Sequence, residues 1–136
     1  MALKIIGFVC RDSALAAAEQ AGSKERPYSS AVTLVEIPCA GRVDIVHILR
    51  AFREGADAVF VAGCLEGNCR YQYGNIEALK RVTLTKSLLR DAGLGSERLE
   101  MFNLASNQEW RFVEIVREMV SRVERLGPNP IGKVKT

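Results

Sequence analysis

Short apolar runs alternate with helical apolar stripes along nearly the whole chain. Residues 4–9 form a compact run with β-branched members, the pattern of a buried strand. The alanine-rich stretch 12–21 fits a helix closed by Gly22. A polar loop spans 23–30, with Pro27 inside it, and Val32, Thr33, Val35 and Ile37 mark a second strand over 31–37, stopped by Pro38. Asp44 offers an N-cap, and Ile45, Ile48, Leu49 and Phe52 follow at the spacing of one helical face, ended by Gly55. Residues 58–62 are apolar without a break, which predicts a strand buried on both faces. A helix over 75–92 presents Leu79, Val82 and Leu89 and ends at Gly93. A fourth, shorter strand covers 98–104. Ser106 then opens a last helix whose stripe is Phe112, Val116, Met119, Val123 and Leu126, stopped by Gly127 and Pro128. Residues 129–136 read as a loose or partner-bound tail.

This alternation predicts an α/β protein, a flavodoxin-like parallel sheet of about four strands with helices on both faces. The 136 residues suit one domain, here residues 1–128 followed by the tail 129–136. A content of 48% hydrophobic and 26% charged residues suits a packed, soluble globule. No apolar run is long enough to span a bilayer, and the first ten residues lack the pattern of a cleaved signal, so the cytoplasm is the expected compartment. Nineteen basic and sixteen acidic side chains, net +3, are interspersed rather than blocked. With neither a basic stripe nor a reading motif, nucleic acid is not an expected partner. In the cytosol, four cysteines point to metal binding, thiol chemistry or burial before disulfides.

The position of the cysteines along this layout chooses among those readings. Cys10 follows the first strand, Cys39 the second and Cys64 the third, with Cys69 in the same loop as Cys64. In a parallel sheet all strands end at one edge, the edge where open α/β sheets bind ligands. Adjacent strands lie about 4.8 Å apart, so thiols from three of them can reach one small centre. Gly41, Gly63, Gly67 and Gly74 surround the cysteines, leaving backbone amides near the sulfurs. Structural zinc sites usually show two short cysteine pairs, whereas here only Cys64 and Cys69 are close. Thiolates donated singly from separate loops suit an iron–sulfur cluster, of either 2Fe–2S or 4Fe–4S type as far as spacing goes.

The stretches Gly7-Phe8-Val9-Cys10, Ile37-Pro38-Cys39-Ala40-Gly41-Arg42-Val43-Asp44 and Gly63-Cys64-Leu65-Glu66-Gly67-Asn68-Cys69-Arg70 resemble the delta, iron–sulfur subunit of methyl-viologen-reducing hydrogenase. So do residues 51–59, Gly74-Asn75, Glu97-Arg98-Leu99-Glu100 and Leu104-Ala105-Ser106, so the likeness runs from about residue 4 to Pro128. The resemblance implies a 2Fe–2S cluster on Cys10, Cys39, Cys64 and Cys69 in a non-catalytic electron-transfer subunit of a hetero-oligomer. It implies as partners a hydrogenase, formate dehydrogenase or related reductase and a flavin-containing heterodisulfide reductase. Many members have a second cysteine three residues after the first; here that position is Ser13, which could donate a hydrogen bond near the cluster or cap the first helix.

Two other functions fit the same residues: a zinc-stabilised docking scaffold, and a thiol-based sulfur-transfer protein using Cys64 or Cys69. Arg11, Arg42 and Arg70 stand near cysteines and could offset a cluster's negative charge. His47, the one histidine, falls beside core positions and reads as a surface or boundary residue rather than a ligand. Tyr71 and Tyr73 could shield the centre from water, and Trp110 reads as helix packing before docking.

Overall fold

The computed structural model describes residues 3–11, 14–23, 31–63 and 74–130, with the backbone alone at 20–23 and 74–75. Four strands, β1 Ile5–Cys10, β2 Val32–Ile37, β3 Ala58–Gly63 and β4 Leu99–Asn103, form one sheet. They alternate with four helices, α1 Ala14–Ser23, α2 Ile45–Arg53, α3 Gly74–Asp91 and α4 Glu109–Leu126. The strand order is β2-β1-β3-β4 and every pairing is parallel. That is the flavodoxin-like doubly wound arrangement, with its switch point between β1 and β3.

Two apolar cores follow from the period-two alternation of the central strands. Ala58, Phe60 and Ala62 of β3 join Ile5 and Val9 in packing against α1 and α4, where Phe112, Ile115, Val116, Met119 and Val123 are buried. Val59 and Val61 face the other way with Phe8, against Ile48 and Phe52 of α2 and Val82 and Leu89 of α3. Gly7 of β1 is small for a reason: a Cβ there would stand 2.3 Å from the Phe60 ring. That ring is itself held edge-on by Phe102 and Phe112, at centroid distances of 6.3 and 6.4 Å.

The elements match the sequence pattern closely, with differences that have local causes. Asp44 caps α2 as expected, its Oδ1 accepting from the Val46 amide at 3.2 Å. Val82 and Leu89 are buried on α3, but Leu79 is 54% exposed, and Leu49 on α2 also stands partly in solvent. The last helix begins at Glu109 rather than Ser106. Before it, the Gln108 side chain reaches back to accept from the Ala105 amide at 2.8 Å, making a turn of the residues expected to start the helix. Asn129, assigned by the sequence to the tail, is fully buried. Its side-chain amide donates to the carbonyls of Phe52 and Ala56 at 2.9 and 2.8 Å, and its backbone amide to Asp57 Oδ1 at 2.8 Å. Asp57 Oδ2 accepts from the Lys4 amide, and Arg98 bonds the carbonyls of Asp57 and Gly127, so the chain after α4 is fastened to the amino end of the sheet.

Candidate functional site at the carboxyl edge of the sheet

Because every strand is parallel, β1, β2 and β3 all deliver their last residues to one edge. Cys10 is the final residue of β1 and lies in register with Ile37, the final residue of β2. The Arg11 amide continues that ladder by donating to the Ile37 carbonyl at 2.9 Å. Cys39 stands two residues beyond Ile37, and β3 ends at Gly63, immediately before Cys64. Cys10 and the end of β3 therefore flank the switch point between β1 and β3, where a doubly wound sheet opens a crevice.

Cys10 and Cys39 are both turned into the protein, 2% and 4% exposed. Pro38 leaves Cys39 extended, at φ −154° and ψ 147°, so that it caps the tight turn Ala40–Arg42. Within that turn the Gly41 amide donates to Cys39 Sγ at 3.4 Å. An amide aimed at a sulfur stabilises negative charge on it, the usual backbone contribution around thiolate ligands. Arg81, on the second turn of α3, holds the turn from outside: its Nη1 donates to the carbonyl of Gly41, and to that of Val43 at 3.0 Å. Gly41 is thus gripped at its carbonyl by Arg81 while its amide meets the sulfur.

Among the arginines singled out from sequence, Arg11 pairs with Glu36 at 2.7 Å along the β2 side, both side chains well exposed, a contact worth about 0–1 kcal/mol. Arg42 is exposed. Arg81, which the sequence does not single out, is bonded to the cysteine turn, and no spacing in the chain signals a contact forty residues away. His47 is exposed on α2 and lines a groove of about 230 Å³ with Ile6, Phe8, Val35 and Arg50, away from the cysteines. Trp110 is half-exposed on α4. Cys64, Cys69, Ser13, Gly67, Arg70, Tyr71 and Tyr73 lie outside the described residues, and among those described no group of three or more potential ligands stands together. Cys10 and Cys39 are the described half of the expected set. Two buried sulfurs from adjacent strands, one with an amide donor, fit the donor chemistry of a thiolate-ligated centre.

Fold and site together define a small doubly wound α/β protein that brings cysteines to its ligand-binding edge. The chain belongs to the family of the methyl-viologen-reducing hydrogenase delta subunit, which matches residues 5–127. It is 44% identical over 127 residues to the vhu iron-sulfur subunit of the F420-non-reducing hydrogenase of Methanocaldococcus jannaschii, covering 93% of this chain and 95% of that one. The protein of the same name from Methanococcus maripaludis is 45% identical over 127 residues, with the same coverage. A larger protein is also similar, one of the subunits of the ferredoxin/F420H2-dependent CoB-CoM heterodisulfide reductase of Methanosarcina acetivorans. There the likeness, 32% over 124 residues, covers 91% of this chain but 16% of the relative, so it is confined to one segment. No helix among the described residues is long and apolar enough to cross a membrane.

Proposed function

We propose that this protein is a non-catalytic electron-transfer subunit carrying a 2Fe–2S cluster on Cys10, Cys39, Cys64 and Cys69. The observation that carries the reading is the burial of Cys10 and Cys39 at the carboxyl ends of adjacent parallel strands, with the third strand leading directly into Cys64. The naming of its relatives as iron–sulfur subunits supports it. When bound, the cluster supplies a centre that accepts and gives up one electron at a time. The chain's own residues bury the ligand sulfurs, hold Cys39 in its turn through Arg81, and direct the Gly41 amide at Cys39 Sγ. Burial keeps water from competing for the sulfurs, and the amide stabilises the negative charge that a thiolate ligand carries.

The electrons pass between a hydrogenase, formate dehydrogenase or related reductase and a heterodisulfide reductase-type flavoprotein, within a cytoplasmic hetero-oligomer. The similarity to one segment of a heterodisulfide reductase chain supports that pairing, since a domain like this one occurs there as part of a longer polypeptide. Residues 1–128 act as the single electron-transfer domain, with Asn129 of the following segment, 129–136, packed into it.

Anaerobic purification followed by iron, sulfide and zinc analysis and EPR of the dithionite-reduced protein tests the reading. About two irons and two sulfides per chain, with the signal of a reduced 2Fe–2S centre, is the expected result. Cys10→Ser and Cys39→Ser are each expected to lose most of the bound iron while keeping the far-UV spectrum. Zinc without iron would make the protein a docking scaffold instead, and a metal-free protein with a reactive Cys64 or Cys69 would make it a thiol carrier.

A further inference from the structure

The two faces of the sheet present very different surfaces. Six of the eight large apolar side chains exposed among the described residues lie on α2 and α3, and only Trp110 lies on the α1–α4 side. On α2, Val46 and Leu49 share the outward stripe with Arg50 and Arg53, at i, i+3, i+4 and i+7. On α3, Leu84 and Leu88 stand three and seven residues beyond Arg81, on its side of the helix.

The Arg81 contact fixes how these stripes meet. Arg81 Nη1 reaches the Val43 carbonyl at 3.0 Å, and α2 and α3 both leave the carboxyl edge and run toward the amino edge. Leu84 and Leu88 therefore come alongside Val46 and Leu49, three and six residues beyond Val43. Val46 and Leu84 are more than half exposed, at 55% and 53%. A contiguous apolar strip of this kind is seldom left to solvent on a soluble protein without a binding role.

The charges around the strip say what covers it. Glu77 and Asp91 are matched by Lys80 and Arg90 on their own helix, the Asp44 carboxylate caps α2, and Glu54 is the one exposed carboxylate at the far end of α2, beside Arg53, against three arginines. Arg42, Arg50 and Arg53 form no ion pair among the described residues. An apolar centre rimmed by unmatched arginines complements a partner with an apolar patch rimmed by carboxylates. The strip is also continuous with the site, because Cys39, the turn Ala40–Arg42 and α2 follow one another without a break.

We propose that the α2–α3 face is the docking surface for the protein's redox partner, a protein whose contact patch is apolar at its centre and acidic at its rim. Docking there sets the partner against the Cys39 side of the cysteine edge, and that orientation rests on the electron-transfer reading. The test is hydroxyl-radical footprinting of the chain alone and in complex with co-produced hydrogenase and heterodisulfide reductase-type proteins, with affinities measured for variants. Protection is expected on α2 and α3. Arg50→Glu with Arg53→Glu, and separately Leu84→Ser with Leu88→Ser, are expected to weaken binding about tenfold or more, the charge pair more steeply at low salt. Trp110→Ala, on the opposite face, is expected to bind as the parent does. Protection confined to α1 and α4, unchanged affinity in the double variants, failure to bind either partner, self-association through this face, or protection by anionic lipid vesicles instead of the partner proteins would each overturn the proposal. Iron and sulfide assays on the same samples report separately on the cluster, so the two readings fail independently.

Discussion

At the scale of single residues, the cysteine turn depends on Arg81. Its guanidinium sits on the Gly41 and Val43 carbonyls while Gly41 donates to Cys39 Sγ, so removing it frees the turn that aims the amide. In the metal-free protein, Arg81→Met is expected to speed alkylation of Cys39 by iodoacetamide several-fold with the circular dichroism unchanged. Arg81→Lys, which keeps one donor and the charge, is expected to fall between the two; equal rates in all three proteins would mean the turn holds itself. Cys10 and Cys39 could be placed at strand ends from the chain because the local apolar pattern marks where each strand stops. The contact of Arg81 could not be read there, because an arginine on a helix looks the same whether it meets water or a loop forty positions away.

At the scale of elements, β4 is tied to both of its neighbouring helices by one carboxylate. Glu100 accepts from Lys86 of α3 at 3.2 Å and from Arg122 of α4 at 3.1 Å, and Arg122 also pairs with Glu118. Burial alone would raise the pKa of Glu100, but the hydrogen bonds from Lys86 and Arg122 outweigh it and hold the carboxyl below its usual range. Burial likewise works against the Arg122 charge, and Glu118 and Glu100 more than restore it. A carboxylate with a lowered folded-state pKa adds stability above its unfolded value and loses it as pH falls through the folded one. Glu100→Gln is therefore expected to be less stable than the parent at neutral pH, with the gap closing from about pH 4.3 downward. Urea unfolding midpoints of both proteins across that range check it, and a gap independent of pH would show that the ionised form contributes nothing. The elements themselves were legible because each apolar stripe has a period of two or 3.6. Leu79 and Leu49 broke the pattern because periodicity marks an apolar face and cannot tell whether the fold covers it.

At the scale of the whole molecule, the C-terminal segment closes the amino end of the sheet, opposite the cysteines. Asn129 bonds the carbonyls of Phe52 and Ala56, which lie more than seventy residues earlier. Asn129→Ala strands those buried groups and is expected to cost about 1–3 kcal/mol, read as a lower urea midpoint with little change in iron bound. An unchanged midpoint would mean that water takes over the lost donors. From the sequence this segment read as a tail, since a single asparagine between two prolines carries no pattern; its burial exists only once α2, β3 and α4 have converged. The α/β class, the parallel sheet and the strand-end positions of Cys10 and Cys39 are written in the chain, because hydrophobic period and strand–helix alternation act locally along it. Tertiary structure alone decided the strand order that puts Cys10 at the switch point, the inward turn of Cys39, the grip of Arg81, the burial of Asn129 and the apolar strip between α2 and α3. Each of these joins residues far apart in the chain, and such contacts depend on packing geometry that no local pattern encodes.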